Sequence, residues 1–225
     1  MTTSTRGDLR RLCNGLTTVM ATVFLASCFT GPRPTLETVD TLAPVNDPAA
    51  ESVLQVLTST PTMPFTIEYE IVTKFGGAIT SATVSFDPIL GTSVDIADTR
   101  YLYTAEGTTS TCSKSTFECT TGIDETRVSD RQLTSTFHKQ SAIERIRQDV
   151  RVAVGPAVGR TDSLVEMAIT CAEFPVVDSA GAPQTKSYCA FDEAKVLASM
   201  ETADLSVTAV SMSPTADPAL FQPPA

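Results

Sequence analysis

The chemical group with the most informative surroundings in this chain is the thiol of Cys28. Leu25-Ala26-Ser27 stands directly before it and ends an apolar run over residues 15–26. That run follows a short basic segment, whose charges are carried by Arg6, Arg10 and Arg11. A basic head, a brief apolar middle and small residues before a cleavage point are typical of a secretory signal peptide. The sequence therefore predicts that the chain is exported.

Leu25-Ala26-Ser27-Cys28 resembles the lipobox of bacterial lipoproteins. The resemblance implies that residues 1–27 are a lipoprotein signal peptide and that the Cys28 thiol, linked to diacylglycerol, begins the mature chain. It also implies a cell-membrane protein held by its lipid at the extracytoplasmic face, since two acyl chains hold a protein stably where one holds marginally. Two alternatives stay open. One is cleavage without lipidation; the other is a spanning helix, although the apolar-biased stretch 12–27 is short of the roughly 20 residues required.

Four further cysteines lie downstream, and an oxidising compartment favours disulfides between them. Four cysteines allow three pairings. The local pairing, Cys112 with Cys119 and Cys171 with Cys189, is favoured because each pair brackets a hairpin-like stretch with turn residues. A metal site is disfavoured, since there is no Cys-x-x-Cys and the chain has one histidine.

The charge of the chain excludes one class of partner. Of 16 Lys and Arg and 26 Asp and Glu, residues 1–27 hold three basic groups and one acidic group. The remaining residues, 28–225, carry 13 basic and 25 acidic groups, which gives a net charge of −12. Nucleic-acid binding depends on clustered Lys and Arg, so nucleic acid is not expected as a partner.

Catalysis has little support in the sequence, and no cofactor is expected. The one histidine, His138, precedes a predicted helix, where a solvated loop position is the expectation. The spacings that mark serine hydrolases, zinc proteases or phosphate-binding loops do not occur. Glu68 and Glu70 share one side of a predicted strand, as a glycosidase pair would, but so do most solvated acidic faces. We therefore expect a protein that is not an enzyme.

Seven basic residues cluster between residues 127 and 160 of an otherwise acidic chain. They could form a face for anionic head groups or an acidic partner. The alternative, which the interspersed Asp and Glu favour, is an ordinary solvated surface. The residues are Arg127, Arg131, Lys139, Arg145, Arg147, Arg151 and Arg160.

The elements that must position these groups are mostly strands. Alternation of apolar and polar residues predicts a strand from residue 65 to 72. Gly76-Gly77 then predicts a hairpin turn that leads into a second strand, which ends at Asp87-Pro88. Asp47-Pro48 predicts the start of a short helix through about Leu57. Ser141-Ala142-Ile143-Glu144 has the pattern of a capping box for a second helix, on which Arg145 and Asp149 are spaced to pair. The fold class is α+β and β-dominated, with a mostly antiparallel curved sheet of seven or eight strands and two helices.

The chain divides by composition. Residues 28–50 form an acylated N-terminus and a Pro/Thr-rich, disordered tether. A single β-rich domain follows over residues 51–213, and residues 214–225 form a flexible tail.

This order of parts resembles the lipid-carrier lipoproteins of actinobacterial envelopes, the LppX/LprG kind, whose fold is similar to LolA and LolB. The resemblance rests on the lipobox, the tether, a helix before the first hairpin, and a meander ending in a strand over residues 205–213. It implies a half-barrel sheet closed by helices around an apolar cavity for acyl chains. The side chains that would line the cavity are Phe65, Ile67, Tyr69, Ile71, Val84 and Phe86.

Two functions stay open at this level. One is an anchored envelope protein that binds or carries a lipid or another apolar ligand. The other is an anchored protein that binds another envelope protein or has a structural role, without a ligand cavity. In the second case the same apolar stripe is ordinary core. A continuous apolar void would favour the first, and a closed, packed sheet face the second.

Overall fold

The structure is a computed structural model that describes residues 46–128, 130, 133–178 and 180–224. The predictions for the signal peptide, for Cys28 and for the tether up to residue 45 lie outside these residues. The same is true of Arg131.

The described chain contains two α-helices, α1 (Pro48–Thr58) and α2 (Gln140–Val152), and eleven strands. The strands are β1 Phe65–Thr73, β2 Ala78–Asp87, β3 Gly91–Ile96, β4 Thr99–Thr104, β5 Thr109–Ser113, β6 Cys119–Thr121, β7 Val158–Leu164, β8 Met167–Val177, β9 Pro183–Phe191, β10 Leu197–Glu201 and β11 Leu205–Ser213.

All eleven strands form one antiparallel sheet in the order β6-β5-β4-β3-β2-β1-β11-β10-β9-β8-β7. Apart from β6 and β7, which lie at opposite edges, consecutive strands pair with each other, and β1 pairs with β11 in the middle of the sheet. The predicted class, an antiparallel β-dominated α+β fold with two helices, is confirmed. The predicted number of seven or eight strands is wrong. A sheet of this many strands curls because neighbouring strands twist relative to each other.

The topology decides which face of the sheet is covered. The chain leaves the sheet at one edge, β6, and re-enters it at the opposite edge, β7. The connection over residues 122–157 must therefore cross the sheet, and it carries α2. Phe137 of this connection packs edge-on against Tyr69 of β1, with ring centroids 5.2 Å apart. The connection closes over the apolar side of β1.

Helix α1 begins as its sequence predicts. Oδ1 of Asp47 accepts hydrogen bonds from the backbone N–H groups of Ala49 and Ala50, both at 3.0 Å, and Pro48 occupies the first turn. One stripe of the helix is buried, comprising Ala50, Val53, Leu54 and Leu57. The helix starts inside the stretch assigned above to the tether, so the ordered part of the domain begins before residue 51.

Helix α2 exists, but the predicted capping box is wrong. The N-cap is Lys139, and no side chain caps the helix. Ser141 lies inside the first turn, and its hydroxyl is hydrogen-bonded to Thr134 and Thr136, at 2.6 and 2.8 Å. The hydroxyl is thereby engaged by the preceding loop and not by a helix N–H group.

Both local disulfides are present, Cys112–Cys119 and Cys171–Cys189. The first joins β5 to β6 and the second joins β8 to β9, each between directly paired residues. A disulfide of this kind stabilises a fold by about 2–4 kcal/mol, mainly by restricting the unfolded chain.

The outer side of β3 and β4 is covered by the C-terminal segment. Arg100 binds both carboxylate oxygens of Asp95, at 2.8 and 3.0 Å. Its remaining nitrogen donates to the carbonyl oxygens of Ala219 and Gln222, at 3.2 and 3.1 Å. A short 3-10 turn, Pro218–Phe221, thus lies within the stretch that the composition assigns to a flexible tail.

Candidate functional site

The six residues predicted to line a cavity lie together, but they form packed core. They project from β1 and β2, which pair in register. Five are at most 2% exposed, and Phe86 is half-buried and stacks on Phe65 with ring centroids 5.7 Å apart. The Tyr69 hydroxyl donates to the carbonyl oxygen of Leu197 at 2.6 Å, and burial raises its pKa. The centre of this sheet face is closed by packing.

One end of the same face opens into a small apolar pocket of about 150 Å³, which we name the methionine pocket. Only Phe65 of the six predicted residues reaches it. The other side chains come from the residues before β1, the start of β8, the turn between β9 and β10, and the end of β11. The lining comprises Met63, Pro64, Phe65, Met167, Glu193, Ala194, Met212 and Pro214.

A β-bulge places Met212 in this pocket. The pairing of β1 with β11 shifts between Glu68 and Tyr69, which leaves Val210 without a partner. Val210 is 53% exposed, whereas Met212 beyond the bulge is paired with Ile67, a fully buried core residue. Because a bulge reverses the alternation of faces, simple alternation from Leu205 onward would place Met212 on the outer side.

The chemistry of the pocket is that of an adaptable apolar surface. Methionine side chains are unbranched and polarisable, and they repack around apolar groups of varied shape. A void of roughly 150 Å³ holds about one small ring. The end of an alkyl chain has a comparable volume and would therefore fit. Glu193 is an exposed carboxylate in the lining, and Met63 is 55% exposed. The pocket is therefore apolar within and acidic at its mouth.

A second cavity, of about 250 Å³, lies beside the loop that leads into α2. It is lined by Thr92, Tyr103, Thr136, His138, Lys139 and Gln140. His138 is only 7% exposed, so the expectation of a solvated loop histidine is wrong. Its Nδ1 atom is buried and has no hydrogen-bond partner among the described residues. Burial, together with the charge of Lys139, lowers the pKa of His138 to about 3.

His138 does not have the surroundings of a triad histidine among the described residues. In a Ser-His-Asp triad, a carboxylate binds Nδ1 and orients the ring, whereas Nδ1 of His138 has no such partner. The nearby Ser135 hydroxyl is instead bonded to Glu125 and to Tyr103. Within the described ranges, no cluster of His, Cys, Asp and Glu has the geometry of a metal site.

Four of the basic residues of the 127–160 region each have an identified partner, whereas Nε of Arg147 is buried without a hydrogen-bond partner among the described residues. Arg127 pairs with Asp124, Arg145 with Asp204, and Arg160 with both Asp162 and Glu173. Lys139 donates to the carbonyl oxygen of Ser59 at 2.8 Å. These groups belong to different elements and bind different partners.

The side chain of Asp149 in α2 points towards the sheet. Its two carboxylate oxygens accept hydrogen bonds from the Lys186 ammonium and the Tyr188 hydroxyl of β9, both at 2.5 Å. Burial and the neighbouring carboxylate raise the pKa of Tyr188. Arg145, the partner expected for Asp149 from helix spacing, forms its ion pair with Asp204. Asp149 therefore fixes α2 on the sheet.

Sequence reasoning missed every lining residue of the pocket except Phe65, including the three methionines Met63, Met167 and Met212. They lie far apart in the sequence and no local pattern joins them. Six methionines in the whole chain were the one available signal, but composition does not say which of them converge. No helix among the described residues is long and apolar enough to cross a membrane.

Comparisons with known proteins find solved structures to which this chain is similar, including one from Mycobacterium bovis and one from Nitrosomonas europaea. LprF from Mycobacterium bovis is 12% identical, with a TM-score of 0.39, over 79% of this chain and 98% of that one. A LolA superfamily protein from Nitrosomonas europaea is 12% identical, with a TM-score of 0.36, over 75% of this chain and 94% of that one. No family model matches the sequence, and no curated protein matches it. We therefore infer the function of this chain from its own residues.

Proposed function

We propose that this chain is an exported bacterial lipoprotein that binds the alkyl chain of a lipid in the methionine pocket. Diacylglycerol on Cys28 anchors it at the extracytoplasmic face of the membrane. The observation that carries the binding proposal is the open apolar pocket of about 150 Å³ at the end of the core. An apolar pocket with few polar groups is the usual form of a small-ligand site.

The lining favours a chain end over a whole lipid. The void is small, and the neighbouring core residue Ile67 is fully buried. The pocket therefore accommodates the tip of one alkyl chain, while the rest of the ligand lies along the exposed Met63. Methionines can move aside for a longer segment at low cost, because their side chains have several rotatable bonds.

The mouth of the pocket selects among head groups. Glu193 is exposed there, and the mature chain carries a net charge of −12. Anionic head groups are repelled by both, since like charges disfavour approach. We therefore expect a neutral lipid.

The alternative function, binding of another protein without a ligand cavity, is favoured by a different observation. Five of the six residues predicted to line a deep cavity are packed core. If the methionine pocket stays empty in cells, an anchored protein-binding module is the function that remains.

The test uses the full-length chain in cells that process lipoproteins, supplied with a diacylglycerol that carries a diazirine at one chain end. Illumination should label peptides that contain Met63, Phe65 or Met212. Met212→Glu places a carboxylate in the apolar pocket and should reduce labelling at least about tenfold, because burying an unpaired charge costs several kcal/mol. Val210→Glu is the matched control. It adds the same charge on the same strand at a position that is 53% exposed, and labelling should persist.

The lipid anchor at Cys28 and ligand binding in the methionine pocket are tested by different variants. Cys28→Ala should release the protein from the membrane fraction, and a variant that stays in the membrane would contradict the anchor. Equal labelling of the Met212→Glu and Val210→Glu variants would contradict the pocket. Labelling spread over exposed apolar residues such as Phe75 and Ile89 would do the same.

A further inference from the structure

The two edges of the sheet differ in how they are protected. At one edge, β6 is three residues long and is joined to β5 by the Cys112–Cys119 disulfide. At the other edge, β7 is seven residues long, and six of these are exposed. Among the described residues, no strand pairs with the outer side of β7. A long unpaired edge is a template for a further strand.

Two of the usual devices that block an edge, a proline and a β-bulge, are absent within β7. The strand contains no proline, and its pairing with β8 is regular from Val158 to Leu164. Its charged residues are Arg160 and Asp162, two positions apart and therefore on one face. They form an ion pair with each other at 2.7 Å, and Arg160 also binds Glu173 at 2.9 Å.

The spacing of these two charges makes the strand complementary to itself. If a second β7 pairs antiparallel with Thr161 opposite Thr161, each Arg160 lies directly opposite an Asp162 of the other copy. Opposite charges facing each other across an antiparallel pair are stabilising, whereas like charges are not. We propose that two copies of this chain dimerise by pairing their β7 strands about a twofold axis at Thr161. The proposal goes beyond ligand binding and does not depend on it.

The remaining pairs of this register also fit. Val158, which is 63% exposed, lies opposite Leu164 of the second copy and becomes covered. Gly159 lies opposite Ser163, so both residues are small. A Cβ at Gly159 would stand 3.2 Å from the Cβ of Ala49 in α1. A small residue is therefore favoured at position 159, because Ala49 in the first turn of α1 lies close to it.

The proposed register is tested by a cysteine on the axis. In the full-length, membrane-anchored chain, Thr161→Cys places two thiols opposite each other, with Cα atoms about 5 Å apart, which a disulfide can bridge. Ser163→Cys is the matched control, because its two copies are four residues apart along the strands, about 13 Å, which is too far. Non-reducing electrophoresis should show a covalent dimer for Thr161→Cys and monomer for Ser163→Cys. Equal dimer in both variants, or none in either, would overturn the register.

Charge exchange gives a second, independent readout. In the Thr161→Cys background, Arg160→Asp or Asp162→Arg alone places like charges opposite each other twice per dimer. Each should lower the cross-linking rate about fivefold or more. The double exchange Arg160→Asp/Asp162→Arg should restore it.

Glu173→Gln is the control for the exchange, since it weakens only the ion pair within one chain and should leave the rate unchanged. Failure of the double exchange to restore cross-linking would contradict the proposed dimer. The same failure is expected if a different partner covers β7.

Discussion

Replacing His138 by Phe should remove a specific part of the pH dependence of folding. The imidazole is buried, its Nδ1 has no hydrogen-bond partner within the described part of the chain, and its pKa is lowered to about 3 in the folded state. In the unfolded chain its pKa is about 6.5. As the pH falls below that value, the unfolded state takes up a proton that the folded state does not. Stability is therefore lost on acidification between the two pKa values.

The size of the effect follows from these two values. Between about pH 7.5 and about pH 5, protonation of the unfolded imidazole stabilises the unfolded state by about 2 kcal/mol. His138→Phe keeps a ring beside Phe137, whose centroid lies 5.7 Å from that of the histidine, and it cannot titrate. The carboxylates are common to both proteins, so their contribution cancels in the difference between the two pH profiles.

The assay is urea denaturation of both proteins at the two pH values. The wild-type chain should lose about 2 kcal/mol more than His138→Phe on acidification. Because the chain has a single histidine, its imidazole proton resonances can also be followed by NMR without ambiguity. Equal pH dependence of the two proteins, or a resonance that titrates with a pKa near 6.5, would refute the reasoning.

Two further predictions concern stability. Asp149→Ala leaves the Lys186 ammonium and the buried Tyr188 hydroxyl without their acceptor and should cost about 3 kcal/mol in urea denaturation; a loss below about 1 kcal/mol would show that this contact does not fix α2. Glu166 is exposed and has a φ of 66°, in the left-handed region, so Glu166→Gly should stabilise the chain by about 1 kcal/mol. A lower melting temperature for that variant would contradict the assigned turn.

The first hairpin shows why part of the fold is predictable from sequence. Residues 65–72 alternate between apolar and polar, and β1 has that burial pattern. Gly76 and Gly77 both adopt positive φ, 98° and 66°, at the end of a four-residue loop. Local conformation and burial point the same way there, which is the condition under which pattern reasoning works.

Strand β7 shows why the number of strands was underestimated. It is polar and exposed, so it lacks the apolar alternation of a half-buried strand. The turn that follows it, Val165-Glu166, places two non-glycine residues at positive φ. A turn without Gly or Asn gives no sequence signal, and the sequence pattern predicts only one strand in this region, over residues 164–174, so β7 is not predicted. Strands β5 and β6, either side of the Cys112–Cys119 turn, were missed as well.

The candidate site was predicted only in part, for a physical reason. The six predicted side chains do share one face of β1 and β2, because alternation determines the face. Alternation does not determine whether that face is filled, and here other parts of the chain pack against it. The pocket depends on convergence of distant segments and on the bulge at Val210, neither of which leaves a local pattern.

The central claim, that the methionine pocket holds an alkyl chain, is tested most directly by native mass spectrometry of the full-length protein. The protein is purified from membranes of producing cells into lipid nanodiscs and then released in the gas phase. The wild type and Val210→Glu should retain one neutral lipid in addition to the covalent diacylglycerol, and Met212→Glu should lose it. A wild-type protein that carries only its covalent lipid, or a Met212→Glu variant that retains the same adduct, would contradict the claim.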